Sequence, residues 1–171
     1  ILYMSLELSL KQWKLIFGNG CGRRRRVTVQ GGERQRVLEE VAKAKKHFGL
    51  ADTALVRSCY EAGREAFWVH RWLKGVGIDN LVVDSCSIEV NRRRKRVKTD
   101  RVDGDKLLEL LERYFAGHKR AFAVVRVPPQ EVEDERQLSR GREQLTQERT
   151  ALRNRITGLL FAQGVRWEGQ P

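Results

Sequence analysis

Carboxylates are the side chains in this sequence best placed to do chemistry. Glu7 lies on a first apolar stretch, and Glu61 directly follows the run Leu55 to Tyr60, with Ala62 and Gly63 after it leaving open backbone. Asp100 and Asp103 stand three residues apart, a spacing that puts both on one face if the helix there begins early enough. Hard carboxylate oxygens can hold paired divalent ions, Mg²⁺ or Mn²⁺, about 4 Å apart, and such pairs carry phosphodiester chemistry. Each acid also has an ordinary use. Asp100 or Asp103 can cap a helix, Glu61 can be a surface acid after a strand, and Glu7 can be a solvent-facing strand residue. Asp84, at the end of Leu81 to Val83, is a rival that spacing alone does not exclude.

Other chemistries have less to work with. Cys21, Cys59 and Cys86 are an odd, widely spaced count with no CxxC pair, which argues against a disulfide framework or a zinc finger. His47, His70 and His118 are far apart, and none stands four residues from another His or a Cys. The thiols suit a reducing, cytoplasmic setting, with each as a small buried hydrophobe in the plainest case. No apolar run approaches the roughly 20 residues that span a bilayer, and ILYMSLELSL has no basic flank of a signal peptide, so neither secretion nor membrane insertion is expected.

Charge points to the partner. There are 34 Lys and Arg against 22 Asp and Glu, a net +12, and cations in such excess attract polyanions by releasing condensed counterions. They cluster twice: Arg23, Arg24, Arg25 and Arg26 form an unbroken tetrad, and Arg92, Arg93, Arg94, Lys95, Arg96 and Lys98 give six cations in seven positions, running directly into Asp100. A lone run is as easily a solvated loop or a protected strand edge. Two runs favour phosphate contact, without sequence specificity.

These residues need elements to position them. Leu2 to Leu8, Trp13 to Phe17 and Arg26 to Val29, divided by Gly-rich turns, predict a three-strand meander. Val37, Leu38, Val41, Ala44 and Phe48 predict a helix over Glu33 to Phe48. Ala54 to Tyr60 suits a buried strand, Glu65 to Leu73 a helix, Leu81 to Val83 a strand, and Asp103 to Phe115 a helix with Leu107, Leu108, Leu110, Leu111 and Tyr114 on its apolar face. Ala121 to Val127 could add a further strand. The order βββαβαβα makes an α/β mixed sheet with helices on its faces, by analogy ribonuclease-H-like. Beyond it, Leu138, Leu145, Leu152 and Leu159 recur every seven residues in one long helix, with Arg142 and Arg149 ahead of Ile156 narrowing the seam. The expected divisions are 1–127, 128–164 for the long helix, and a linker cut short over 165–171. The helix either docks on the chain's own core or pairs with another helix, a second copy included.

The segments Tyr3-Met4-Ser5-Leu6-Glu7-Leu8-Ser9, Cys59-Tyr60-Glu61-Ala62-Gly63 and Val97-Lys98-Thr99-Asp100-Arg101-Val102-Asp103, with Glu148-Arg149 and Arg153-Asn154-Arg155 downstream, resemble the amino-terminal half of the DEDD transposases of bacterial insertion sequences, in the group named IS-one-ten with its IS-eleven-eleven branch. The resemblance implies a RuvC-like domain whose four acids, here Glu7, Glu61, Asp100 and Asp103, bind Mg²⁺ or Mn²⁺. It further implies a long helix used in subunit assembly, a structured guide RNA bridging donor and target DNA, and a carboxy-terminal serine domain. Glu7 stands where the family more often has Asp, and Gly104 replaces a usual Ala. The sequence stops at Pro171 before any serine domain, so a fragment or a decayed gene is expected. Two functions from different classes follow: the catalytic amino-terminal domain of a DNA transposase in the bacterial cytoplasm, associated with the nucleoid, or an inactive remnant that only binds DNA or RNA. A basic structural protein of a ribonucleoprotein would explain the charge and leave the acid spacing accidental.

Overall fold

Alternating apolar and polar residues build three antiparallel strands: β1 (Leu2–Leu8), β2 (Gln12–Gly18) and β3 (Arg24–Gln30). In this computed structural model, residues 1–63, 67–88 and 100–166 are described, those of 100–103 by backbone alone. After β3 the chain runs through α1 (Arg34–His47), β4 (Val56–Glu61), α2 (Phe67–Gly75), β5 (Asp79–Val83) and a short 3-10 turn (Ser85–Ser87) to α3 (Asp100–Phe115) and α4 (Gln130–Ala162). The expected mixed α/β architecture is present: one five-stranded sheet in the order β3-β2-β1-β4-β5, with β4 parallel to both β1 and β5. The segment 121–127 contributes no strand to it, only an isolated antiparallel bridge from Val124 to Val83. Pro128 and Pro129, which follow closely, and the exposure of Val124 leave that segment little to gain from a full ladder.

The period of two divides the core into two layers. Leu2, Met4 and Leu6 of β1, Trp13, Leu15 and Phe17 of β2, and Val56 and Tyr60 of β4 pack with Val37, Val41 and Ala44 of α1 and Val69 and Leu73 of α2. On the opposite face Ile16, Cys59 and Val83 pack with Leu107, Leu108, Leu110 and Leu111 of α3 and with Phe122. Each fully buried leucine in these layers contributes roughly 1.5–3 kcal/mol. Aromatic contacts add to these layers: Trp13 lies 5.8 Å from Trp68 and 6.4 Å from Trp72, and Arg57 stacks 3.9 Å over Phe115.

By contact, Ile1–Val127 forms one compact unit and Pro128–Pro171 a second. In the second, α4 carries no buried residue, and Leu138, Leu145, Leu152 and Leu159 are all exposed. Thr146, Thr150 and Thr157 each donate a hydroxyl hydrogen bond to the carbonyl four residues back, which satisfies them within the helix. No helix among the described residues is long and apolar enough to cross a membrane.

Beneath α2 lies a buried polar chain. Ser58 Oγ donates to Asn80 Oδ1 at 2.7 Å, and Asn80 Nδ2 meets His70 Nδ1 at 3.0 Å. Because the amide nitrogen can only donate, His70 must keep Nδ1 unprotonated to accept. Burial, with Lys74 and Arg71 nearby, depresses its pKa from 6.5, against a smaller opposing pull from Asp79. A depressed folded-state value means that the unfolded chain binds more protons, so stability falls as pH drops below about 6.5 towards the folded value. Asn80→Ala, which strands the Ser58 hydroxyl and the His70 ring, is expected to cost about 1–3 kcal/mol in urea unfolding at neutral pH. The wild-type loss between pH 7 and 5 should shrink in His70→Phe. An acid dependence unchanged by that substitution would assign the titration to another group.

Candidate functional site

Glu7 and Glu61 are set by strand pairing. The parallel register of β1 with β4 runs from Leu2↔Val56 to Leu6↔Tyr60, and Glu7 and Glu61 each follow the last of these pairs. Two residues before them, Ser5 and Cys59 reach α3: Ser5 Oγ donates to the Gly104 carbonyl at 2.9 Å, and Cys59 Sγ lies 3.8 Å from the Leu107 carbonyl. Residues two apart on a strand share a face, so both glutamates belong to the face that α3 covers. The structure therefore brings these two expected acids together at the carboxyl ends of neighbouring parallel strands.

α3 begins at Asp100, so Asp100 and Asp103 both lie in its first turn, ahead of Gly104. Gly104 is packed against Glu7. A Cβ built on it would stand 2.6 Å from Glu7 Oε1 and 2.5 Å from Ile16 Cδ1. The helical backbone that carries the two aspartates thus approaches the strand that carries Glu7, while the aspartate side chains lie outside the described atoms. Among the described residues no group of three or more metal-ligating side chains occurs.

Neighbouring charges have definite tasks. Lys14, opposite Glu7 in the β1–β2 register, places Nζ 3.5 Å from Glu7 Oε2. Asp84, the rival acid, uses Oδ1 to accept from the Cys86 amide at 2.9 Å and so caps the 3-10 turn, an ordinary use of Asp. Cys59 is wholly buried; desolvation, reinforced by the Glu61 charge, pushes its thiol far above the usual range. It stays protonated and is no nucleophile.

The Arg23 to Arg26 run, expected to contact phosphate, has another use for three of its members. Arg24 and Arg25 belong to β3 and so alternate between the two faces of the sheet. Arg24 forms a bidentate pair with Glu112 of α3, at 3.0 and 2.7 Å, and Arg26 a bidentate pair with Asp105 of α3, at 3.1 and 2.5 Å. Arg25 points to the other side, 2.6 Å from Glu40 of α1. Gly18 opposite makes room, since a Cβ there would lie 2.6 Å from Arg24 Nη1. Burial is the largest influence on Glu40 and would raise it, but hydrogen bonds and charge from Lys43 and Arg25 outweigh it and hold the carboxyl below its usual range. Arg23 is exposed beside β3. Arg92, Arg93, Arg94, Lys95, Arg96 and Lys98 lie outside the described residues.

The fold and its strand-end acids define a mixed α/β domain with carboxylates at the ends of adjacent parallel strands. No family model matches the chain. Over 170 residues it is 41% identical to a protein of Sinorhizobium fredii named "Putative transposase y4rJ", an alignment covering 96% of this chain and 42% of that protein. The similarity supports a transposase relationship over nearly the whole chain, which spans less than half the length of that relative.

The arginine pairs differ in burial, and that decides their strength. Arg24 and Glu112 side chains are each 16% exposed, against 39% and 32% for Arg26 and Asp105. A double-mutant cycle on Arg24 and Glu112 should give a coupling of about 1–3 kcal/mol in urea unfolding. The same cycle on Arg26 and Asp105 should give less than about 1 kcal/mol. Equal couplings would mean that solvent screening does not separate the two.

Proposed function

We propose that this chain is the metal-dependent amino-terminal domain of a DNA transposase with a ribonuclease-H-like, RuvC-like fold. The observation that carries it is the placement of Glu7 and Glu61 at the ends of β1 and β4, on the sheet face covered by the helix that starts with Asp100 and Asp103. A donor set of carboxylate oxygens alone fits Mg²⁺ or Mn²⁺ and no soft metal. Glu7, Glu61, Asp100 and Asp103 would hold the ions. Bound divalent ions supply Lewis-acid polarisation of a phosphodiester and a clamp on its entering and leaving oxygens. The chain's own part is to keep the acids in register through the β1–β4 ladder and to hold a polyanion by its cations.

The partners that accord with this reading are DNA and, through the family resemblance, a structured guide RNA. A second copy joined along the exposed Leu138, Leu145, Leu152 and Leu159 line of α4 is the matching assembly. The similarity to a protein named as a transposase supports the class, and the net charge of +12 supports a polyanionic partner.

Two measurements test the proposal. Glu61→Gln and the Asp100→Asn/Asp103→Asn pair should each lower Mn²⁺ affinity at least tenfold in titration calorimetry, with far-ultraviolet circular dichroism unchanged. Neutralising Arg92, Arg93, Arg94, Lys95, Arg96 and Lys98 should weaken duplex DNA binding and flatten its salt dependence, by up to about 0.9 in slope for each phosphate no longer neutralised. Acid variants with unaltered Mn²⁺ affinity, beside loop variants with weakened DNA binding, would leave a binding module without the metal chemistry.

A further inference from the structure

Gly104 has no backbone reason to be glycine. It sits inside α3, it is buried, and it is absent from the glycines with positive φ. Glycine is among the poorest helix formers, so its presence there calls for a steric cause. Two contacts supply one. The Ser5 hydroxyl draws the Gly104 carbonyl to β1 at 2.9 Å in a buried hydrogen bond, bringing helix backbone close to the strand. The Glu7 carboxylate then fills the space a Cβ would need, with Oε1 only 2.6 Å from the position such an atom would take. Ile16 Cδ1 fills the rest, at 2.5 Å.

We propose that Gly104 is a positioning residue for Glu7: the missing side chain leaves the space in which the Glu7 carboxylate lies against α3 at Gly104. Both obstructing atoms are far ends of flexible side chains. An added methyl group would therefore push the carboxylate aside rather than unfold the helix. Asp at position 7 would withdraw its carboxylate by one methylene and clear the same space. Residues 7 and 104 are therefore coupled, so the cost of a methyl at 104 depends on the length of the acid at 7. The function of this coupling rests on the metal reading above, whereas the contact itself does not.

The test is a double-mutant cycle of Glu7→Asp and Gly104→Ala in the full chain, built in an Ile16→Val background so that the Cδ1 clash is absent throughout. It has two readouts: urea unfolding in metal-free buffer, and Mn²⁺ affinity by electron paramagnetic resonance of the free ion. In unfolding, Gly104→Ala should reduce the folding equilibrium constant at least fivefold more with Glu7 intact than in the Glu7→Asp background. In Mn²⁺ affinity, Gly104→Ala should cost at least tenfold with Glu7 intact and less than threefold beside Glu7→Asp. Additive effects in unfolding would overturn the proposal, because they would leave Gly104 acting on the helix alone. Coupling in unfolding without any Mn²⁺ binding by the parent would overturn the metal reading and keep the positioning contact. Coupling in unfolding with additive Mn²⁺ costs would overturn the functional half of the proposal, since the carboxylate would move without consequence for the ion.

Discussion

Parallel pairing of β1 with β4 is the constraint from which the candidate site follows. Two parallel strands cannot be joined by a tight turn, so the chain must leave β1, add β2 and β3 on one side, cross over through α1, and return to lay β4 on the other. The return leaves β1 in the middle of the sheet with both edges paired. Its carboxyl end then lies next to that of β4, and residues as remote in sequence as Glu7 and Glu61 become neighbours. Once that register holds, α3 can lie over both strands, taking one hydrogen bond from Ser5 on β1 and one contact from Cys59 on β4. The hydrophobic layer of Leu107, Leu108 and Leu111 supplies most of the docking free energy, and the two polar contacts fix where along the strands the helix sits.

Local pattern made much of this legible in the sequence, and non-local pairing made the rest illegible. β1, β2 and α1 announce themselves by period, and the structure shifts none of their ends by more than about one residue. β5 begins at Asp79, earlier than its apolar run at Leu81, because Asp79 and Asn80 resemble turn residues when read alone. Asn80 is a strand residue because its amide is consumed by Ser58 and His70, partners supplied by other elements. The stretch at 121–127 shows the reverse error, apolar enough for a strand yet bridged at one point only. Glu40 gave no signal at all, since an acid in a charged helix reads as solvated until a strand brings Arg25 to it. Of the candidate site, the acid types and the helical spacing of Asp100 and Asp103 could be read directly. The adjacency of Glu7 to Glu61 could not, because it depends on strand order.

The second unit rests on different physics. α4 has no core of its own, and its apolar line at Leu138, Leu145, Leu152 and Leu159 is interrupted on the companion line by Arg142 and Arg149 before Ile156 completes it. The two lines are apolar together only towards the carboxyl end, where Leu152, Ile156 and Leu159 are all exposed. Burial against any partner helix would therefore draw on both lines there, while in the arginine-bearing half only Leu138 and Leu145 would contribute apolar area.

Charge pairing inside the first unit changes what the net +12 can mean. The tetrad at Arg23 to Arg26 looks in sequence like a free polyanion contact, but strand alternation sends Arg24 and Arg26 to α3 and Arg25 to α1, where Glu112, Asp105 and Glu40 neutralise them. These pairs tie helices on both faces to the edge strand β3, so the cations act as fasteners. A guanidinium held by two hydrogen bonds to a carboxylate would have to give up both before it gripped a phosphate. On the proposed reading, a polyanion would therefore be held by cations that are not so matched. The six between Arg92 and Lys98 enter the sequence immediately ahead of Asp100. On the proposed reading that run, next in sequence to the helix whose Gly104 packs against Glu7, is the polyanion contact, whereas Arg24, Arg25 and Arg26 of β3 already serve the fold.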